Sequence, residues 1–129
     1  MVNIPKNVME MLAAPDSPKM IATVDTKGIP NVIPLWSIVA VDPETIAFAD
    51  VFIKRTKENL EETKKVAIAV CKGKAGYQLK GTFAEFQTSG PIFEEFSKKM
   101  AALKIKSVGI IKIDEVFEAS PGQNSKKLA

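Results

Sequence analysis

The sequence predicts a mainly β fold, a six-stranded antiparallel barrel, closed or partly open, with helices at its periphery. Six short runs rich in β-branched and apolar residues are each bounded by turn-forming residues. The helical segments fall between hairpins and do not alternate with strands, which argues against a doubly wound sheet. At 129 residues, 46% of them hydrophobic, the chain has room for one core, so residues 1–129 read as a single domain.

In chain order, Pro5 to Ala14 has Val8, Met11 and Leu12 at helical spacing, and Pro15-Asp16-Ser17-Pro18 ends that helix. Met20 to Val24 is a strand closed by a turn at Asp25 to Gly28. Asn31 to Val41 is a second extended run, and Pro30 and Pro34 imply an edge or a bend there because proline cannot donate to a sheet ladder. Thr45 to Ala49 is the third strand. Arg55 to Lys65 reads as a helix with Thr56, Asn59, Leu60 and Thr63 on one face, entered through the loop Asp50 to Lys54. Val66 to Cys71 and Tyr77 to Gln87 are strands joined by a glycine-containing turn. Pro91 suits a helix first turn, and Ile92, Phe93, Phe96, Met100 and Leu103 extend an apolar stripe from it. Ser107 to Phe117 is the last strand, and Ser120 to Ala129 a polar tail.

Composition excludes several classes of function. There is no histidine, which removes imidazole metal ligands, Ser-His and Cys-His nucleophile pairs and the usual neutral-pH base. The single cysteine, Cys71, cannot form an internal disulfide, and as the end of an apolar run it is expected to be a buried, inert thiol. The net charge of +3 is small and dispersed, unlike the footprint of a nucleic-acid binder. Met9 to Ala14 is too short for a signal peptide and Glu10 interrupts it, and no run approaches the roughly 20 apolar residues of a membrane helix. A cytoplasmic protein is expected.

Three segments could carry chemistry. In Asp50 to Leu60, a loop ending in Lys54 runs directly into a helix that opens with Arg55 and Thr56; backbone N–H groups at a helix start with Arg and Thr donors suit a phosphate. Alone, such a cluster is more often a solvated charged turn, but cations at the positive end of the helix dipole are unfavourable unless an anion compensates. Asn31 to Ser37 holds the only tryptophan, Trp36, readable as a core residue or as the wall of an apolar ring slot. In Gly76 to Gly81, Gln78 and Lys80 share a strand face opposite Tyr77 and Leu79, which also describes a solvated barrel face. The neighbouring carboxylates Glu61-Glu62 and Glu94-Glu95 lie on helix surfaces and carry no catalytic weight.

Taken in order, Ile21 to Pro34, Ile46 to Asp50, Arg55 to Leu60, Gly76 to Gly81 and Val108 to Val116 resemble the FMN-binding split-barrel family related to pyridoxamine 5′-phosphate oxidase, especially its short FMN-binding branch. The resemblance implies a split β-barrel that binds FMN. It implies that Arg55 and Thr56 hold the flavin phosphate, with Lys54 secondary. It further implies that Pro34, Leu35 and Trp36 line the ring, that Ala49, Asp50 and Val51 bring backbone groups to its reactive edge, and that Gln78 belongs to the site. Family members are homodimers with flavins at the interface, so part of each site is expected from a second subunit. The sequence ends soon after its last strand, without the extended C-terminal region that helps hold substrate in the oxidases, so that oxidase activity is not implied. The expectation is an FMN-dependent oxidoreductase or electron-transfer protein without an identified catalytic acid or base, taking electrons from or giving them to a small molecule or protein. A non-catalytic FMN-binding or storage protein, or a reductase using the deazaflavin F420, are the alternatives.

Overall fold

The computed structural model describes residues 2–120 and 126–129. Its elements are α1 (Lys6–Ala13), β1 (Lys19–Val24), β2 (Pro30–Pro34), β3 (Val39–Asp42), β4 (Thr45–Ala49), α2 (Lys54–Thr63), β5 (Lys65–Lys72), β6 (Ala75–Gln87), α3 (Pro91–Lys99) and β7 (Val108–Glu118). The strands form one antiparallel sheet in the order β2-β1-β5-β6-β7-β4-β3. The long β6 and β7 shift register between Lys80 and Gly81 and between Phe83 and Glu85. Such bulges bend a strand and curl the sheet towards a split barrel. A Cβ on Gly81 would lie 2.6 Å from the Lys112 carbonyl oxygen, so only glycine lets the strands approach at that kink.

There are seven strands and not the six expected, because the run Asn31 to Val41 is broken. Pro34 lacks a donor, the chain leaves β1 there, and Trp36-Ser37 forms a turn before β3 pairs with β4. Polar contacts hold this corner. The Ala49 N–H donates to Ser37 Oγ at 2.9 Å, and the buried Lys19 ammonium donates to the carbonyls of Leu12 and Ile38 at 2.9 Å each. Burial pushes the Lys19 pKa below its usual 10.5.

Inside the curl, Ile21, Ile46, Phe48, Ile68, Leu79 and Ile111 form the core, closed by Val8 and Leu12 of α1 and Leu60 of α2. On the opposite face of β4 and β7, Ala47, Ala49, Val108 and Ile110 meet Phe96 of α3, so β4 is buried on both sides. Gly109 sits against the Phe48 ring, in space a Cβ would fill. Helix α3 ends at Lys99 and not near Leu103, which is 46% exposed beyond the end of the apolar contact.

Cys71 corrects an expectation. In β5 the residues Val66, Ile68 and Val70 face the core, so the period of two turns Cys71 outward, and its thiol is exposed. Part of the expected polar tail returns to the sheet: Leu128 N–H donates to the Val116 carbonyl at 2.8 Å, and Leu128 packs against the core. Residues 121–125 of that tail lie outside the described residues. Among the described residues no helix is long and apolar enough to cross a membrane.

Candidate functional site

Helix α2 is fixed to the sheet by side-chain hydrogen bonds. Asn59 Nδ2 donates to Thr23 Oγ1 at 3.1 Å, Thr63 Oγ1 to the Val24 carbonyl at 2.9 Å, and Asn31 Nδ2 to Thr56 Oγ1 at 3.2 Å. Of the four residues expected on one helix face, Thr56, Asn59 and Leu60 are buried and Thr63 is half-buried. This docking brings the start of α2 beside β2.

That start is open. Its cap residue, Ile53, offers no side-chain hydrogen bond and the first turn holds no acidic residue. The first backbone N–H groups of the helix therefore lack helical partners. Lys54 and Arg55 are exposed here, and neither has a carboxylate at ion-pair distance among the described residues. A cleft of about 330 Å³ lies against them, lined by Asn31, Ile33, Phe52, Ile53, Lys54, Arg55 and Thr56. Helix dipole, two free cations and hydrogen-bonding side chains at the rim make a seat for a phosphate. The Thr56 hydroxyl is buried and accepts from Asn31, so these two act as a hydrogen-bonded pair.

The loop that delivers this helix start is anchored at Asp50. Its carboxylate, 4% exposed as a residue, accepts from Lys57 Nζ at 2.7 Å and from Ser107 Oγ at 2.8 Å. Its N–H donates to the Ser107 carbonyl at 2.9 Å, tying the end of β4 to the start of β7. Lys57 also lies 4.9 Å above the Phe86 ring. Asp50 is thus an anchor with its charge matched, and Lys57, missed by sequence reading, is its partner. Two residues on, Phe52 has φ +56° and is 95% exposed. A left-handed backbone at a bulky residue costs about 1–3 kcal/mol, and strain of this kind gathers at binding sites.

The other expected site residues are spread out. Pro34 is exposed at the end of β2; Leu35 is in the core, its N–H donating to the Lys19 carbonyl at 3.0 Å. Ala49 is buried on β4 and Val51 half-buried beside it. Trp36, 59% exposed, lines a separate cleft of about 560 Å³ between β3 and α3, with Val39, Ile92, Phe96 and Met100. Gln78 lies in one row with Ala69, Met20 and Pro34, on the outer sheet face. Three strand spacings put it about 14 Å along the sheet from Pro34. Within one chain the structure therefore gathers Lys54, Arg55 and Thr56, sets Asp50 and Val51 next to them, and leaves Trp36 and Gln78 apart.

The family model described as pyridoxamine 5′-phosphate oxidase matches residues 4–124. The chain belongs to the pyridoxamine 5′-phosphate oxidase family. An uncharacterised protein of Methanocaldococcus jannaschii is 38% identical over 116 residues, covering 84% of this chain and 76% of its own length. Among solved structures, HupZ of Group A Streptococcus is similar with a TM-score of 0.84 and 28% identity, over 98% of this chain and 99% of that one. An FMN-binding protein from Syntrophomonas wolfei shares the fold at 20% identity, with a TM-score of 0.78 over 87% of this chain and 83% of that one. The family fold also appears, at 18% and 13% identity, in an F420 reductase and in HutZ, the heme storage protein of Vibrio cholerae. The split-barrel reading of the sequence is thereby established, whereas the cofactor differs among proteins of this fold.

Proposed function

We propose that this chain is an FMN-binding flavoprotein acting as an oxidoreductase or electron-transfer protein. The observation that carries this reading is the uncapped start of α2, where Lys54 and Arg55 stand without carboxylate partners over a cleft rimmed by Asn31 and Thr56. A phosphate monoester supplies the compensating charge and acceptor oxygens this arrangement lacks. Bound flavin supplies the hydride or electron chemistry. The chain's residues hold and orient it: Arg55 and Lys54 neutralise the phosphate, Asn31 and Thr56 offer hydrogen bonds, and Asp50 fixes the Ala49–Val51 backbone.

Heme is the less favoured cofactor because the sequence holds no histidine to act as an axial ligand. A homodimer is part of the proposal. The outer face of β2, β1 and β5 exposes Val32 at 58% and Met20 at 37% beside Ala22, Ala67 and Ala69, an apolar surface suited to a second copy. Packed there, the second copy's Gln78 could reach a flavin that its own chain's Gln78 is too distant to touch. A cytoplasmic setting accords with a lone free cysteine.

The test is to release the cofactor from purified protein by denaturation and identify it by mass spectrometry, then titrate apoprotein with FMN by fluorescence quenching. FMN in the released fraction, or quenching at micromolar FMN, is expected; F420 or heme in its place, or no quenching, rejects the reading. Reduction of bound flavin by a nicotinamide cofactor with acceptor turnover separates an oxidoreductase from a storage protein.

A further inference from the structure

A second cleft, of about 510 Å³, opens on the other side of the Phe52-Ile53-Lys54 wall, between α2 and the segment leading into β7. Its volume is within the usual range of small-molecule sites, about 300–1,000 Å³. Lys104 and Lys106 line one side, Lys54 stands at the shared wall, and Glu58 and Glu61 line the α2 side. The remaining charges of the cleft, Asp50 and Lys57, are paired with each other at 2.7 Å. None of Lys54, Lys104 and Lys106 has a carboxylate at ion-pair distance among the described residues. The aromatic ring at the mouth is that of Phe52, almost wholly exposed on a left-handed backbone. No described residue uses that ring, which is 95% exposed, so its strained presentation has no return among the described residues.

We propose that this cleft is a second ligand site, taking a purine ribonucleotide that carries more than one phosphate. Phe52 stacks on the base, because every base has a π-face and exposed aromatics serve as stacking platforms. Lys104 and Lys106 take the phosphates, and Lys54, at the wall shared with the flavin phosphate seat, adds its charge to that side. Glu58 and Glu61, repulsive to a bare anion, accept from ribose hydroxyls or an exocyclic base amine, which is why a nucleotide fits this mixed set better than inorganic phosphate. The cleft also touches Asp50 and Val51. On the flavin reading, on which only this role rests, the nucleotide held there is the adenosine half of a reduced nicotinamide dinucleotide, whose dihydropyridine ring passes a hydride to the flavin beside it and leaves as the oxidised pyridinium.

The probe is adenosine 2′,5′-bisphosphate, titrated calorimetrically into the full chain with and without saturating FMN. Saturable binding in both conditions is expected. Phe52→Ala and the double variant Lys104→Gln/Lys106→Gln are each expected to weaken it about tenfold. The lysine variant should keep FMN affinity within about twofold, since neither residue lines the Arg55 cleft. Absence of binding overturns the proposal, as does binding abolished by FMN, which would mean that the probe merely occupies the phosphate seat. Unchanged affinity in both variants overturns it too. Binding of the probe does not require flavin, so a chain that takes the probe but not FMN keeps this site while rejecting the flavin reading.

Discussion

Arg55→Ala removes one of the two exposed cations at the open start of α2 and leaves the fold untouched, since the Arg55 side chain has no ion-pair partner among the described residues. A hydrogen bond to a charged group contributes about 1.5–3 kcal/mol. Arg55 is exposed, and solvent and salt weaken its pull on an anion, so the lower end applies. About 1.5 kcal/mol corresponds to roughly a tenfold rise in the FMN dissociation constant. Riboflavin has the same ring and ribityl chain without the phosphate, and its affinity should change by less than about twofold. The assay is paired quenching titrations of FMN and riboflavin against wild type and variant at two ionic strengths. The FMN difference should shrink as salt rises. Equal losses for the two ligands, or a loss independent of salt, would refute the phosphate assignment.

Asp50→Ala leaves the half-buried Lys57 and the Ser107 hydroxyl without their common acceptor, and should cost about 2 kcal/mol, read as a lower denaturation midpoint at unchanged m-value. Gly109→Ala drives a methyl group into the Phe48 ring and should cost about 1–3 kcal/mol; adding Phe48→Leu should recover part of that loss in the same measurement. Lys19 has a folded pKa lowered from 10.5 by burial, so at alkaline pH the unfolded chain holds this proton more tightly than the folded one. Its contribution therefore raises stability as pH climbs from the folded pKa towards 10.5, and Lys19→Met should remove that increment from the alkaline limb of a stability profile.

The strands and helices were readable because their signals are local. Alternation in Tyr77 to Lys80 and the helical stripe from Ile92 to Phe96 each report a face directly, and the two prolines flagged the place where the extended run gives way. The split into β2 and β3 was not readable, because the bonds that hold the Trp36-Ser37 corner come from Lys19 and Ala49, both far along the chain. Cys71 was misread by weighing residue type over strand period. At the site, Lys54, Arg55 and Thr56 are consecutive and could be seen together. The Asp50–Lys57–Ser107 group joins residues 57 positions apart, and the Asn31–Thr56 pair spans 25, so only tertiary structure reveals them. The left-handed backbone at Phe52 had no signal at all, since neither glycine nor asparagine marks it.

The double burial of β4 has a mechanical consequence. A strand sealed between the core and α3 has no free side towards which to yield, so its last residue, Ala49, is a fixed clamp for everything that follows it. At the far end, α2 is riveted to β1 through Asn59 and Thr63. The few residues strung between these points behave as a short bridge with rigid piers. Whatever displacement a bound molecule demands is concentrated in that bridge, while the distance between the piers stays constant, which makes the spacing of the groups around the two clefts a property of the barrel itself.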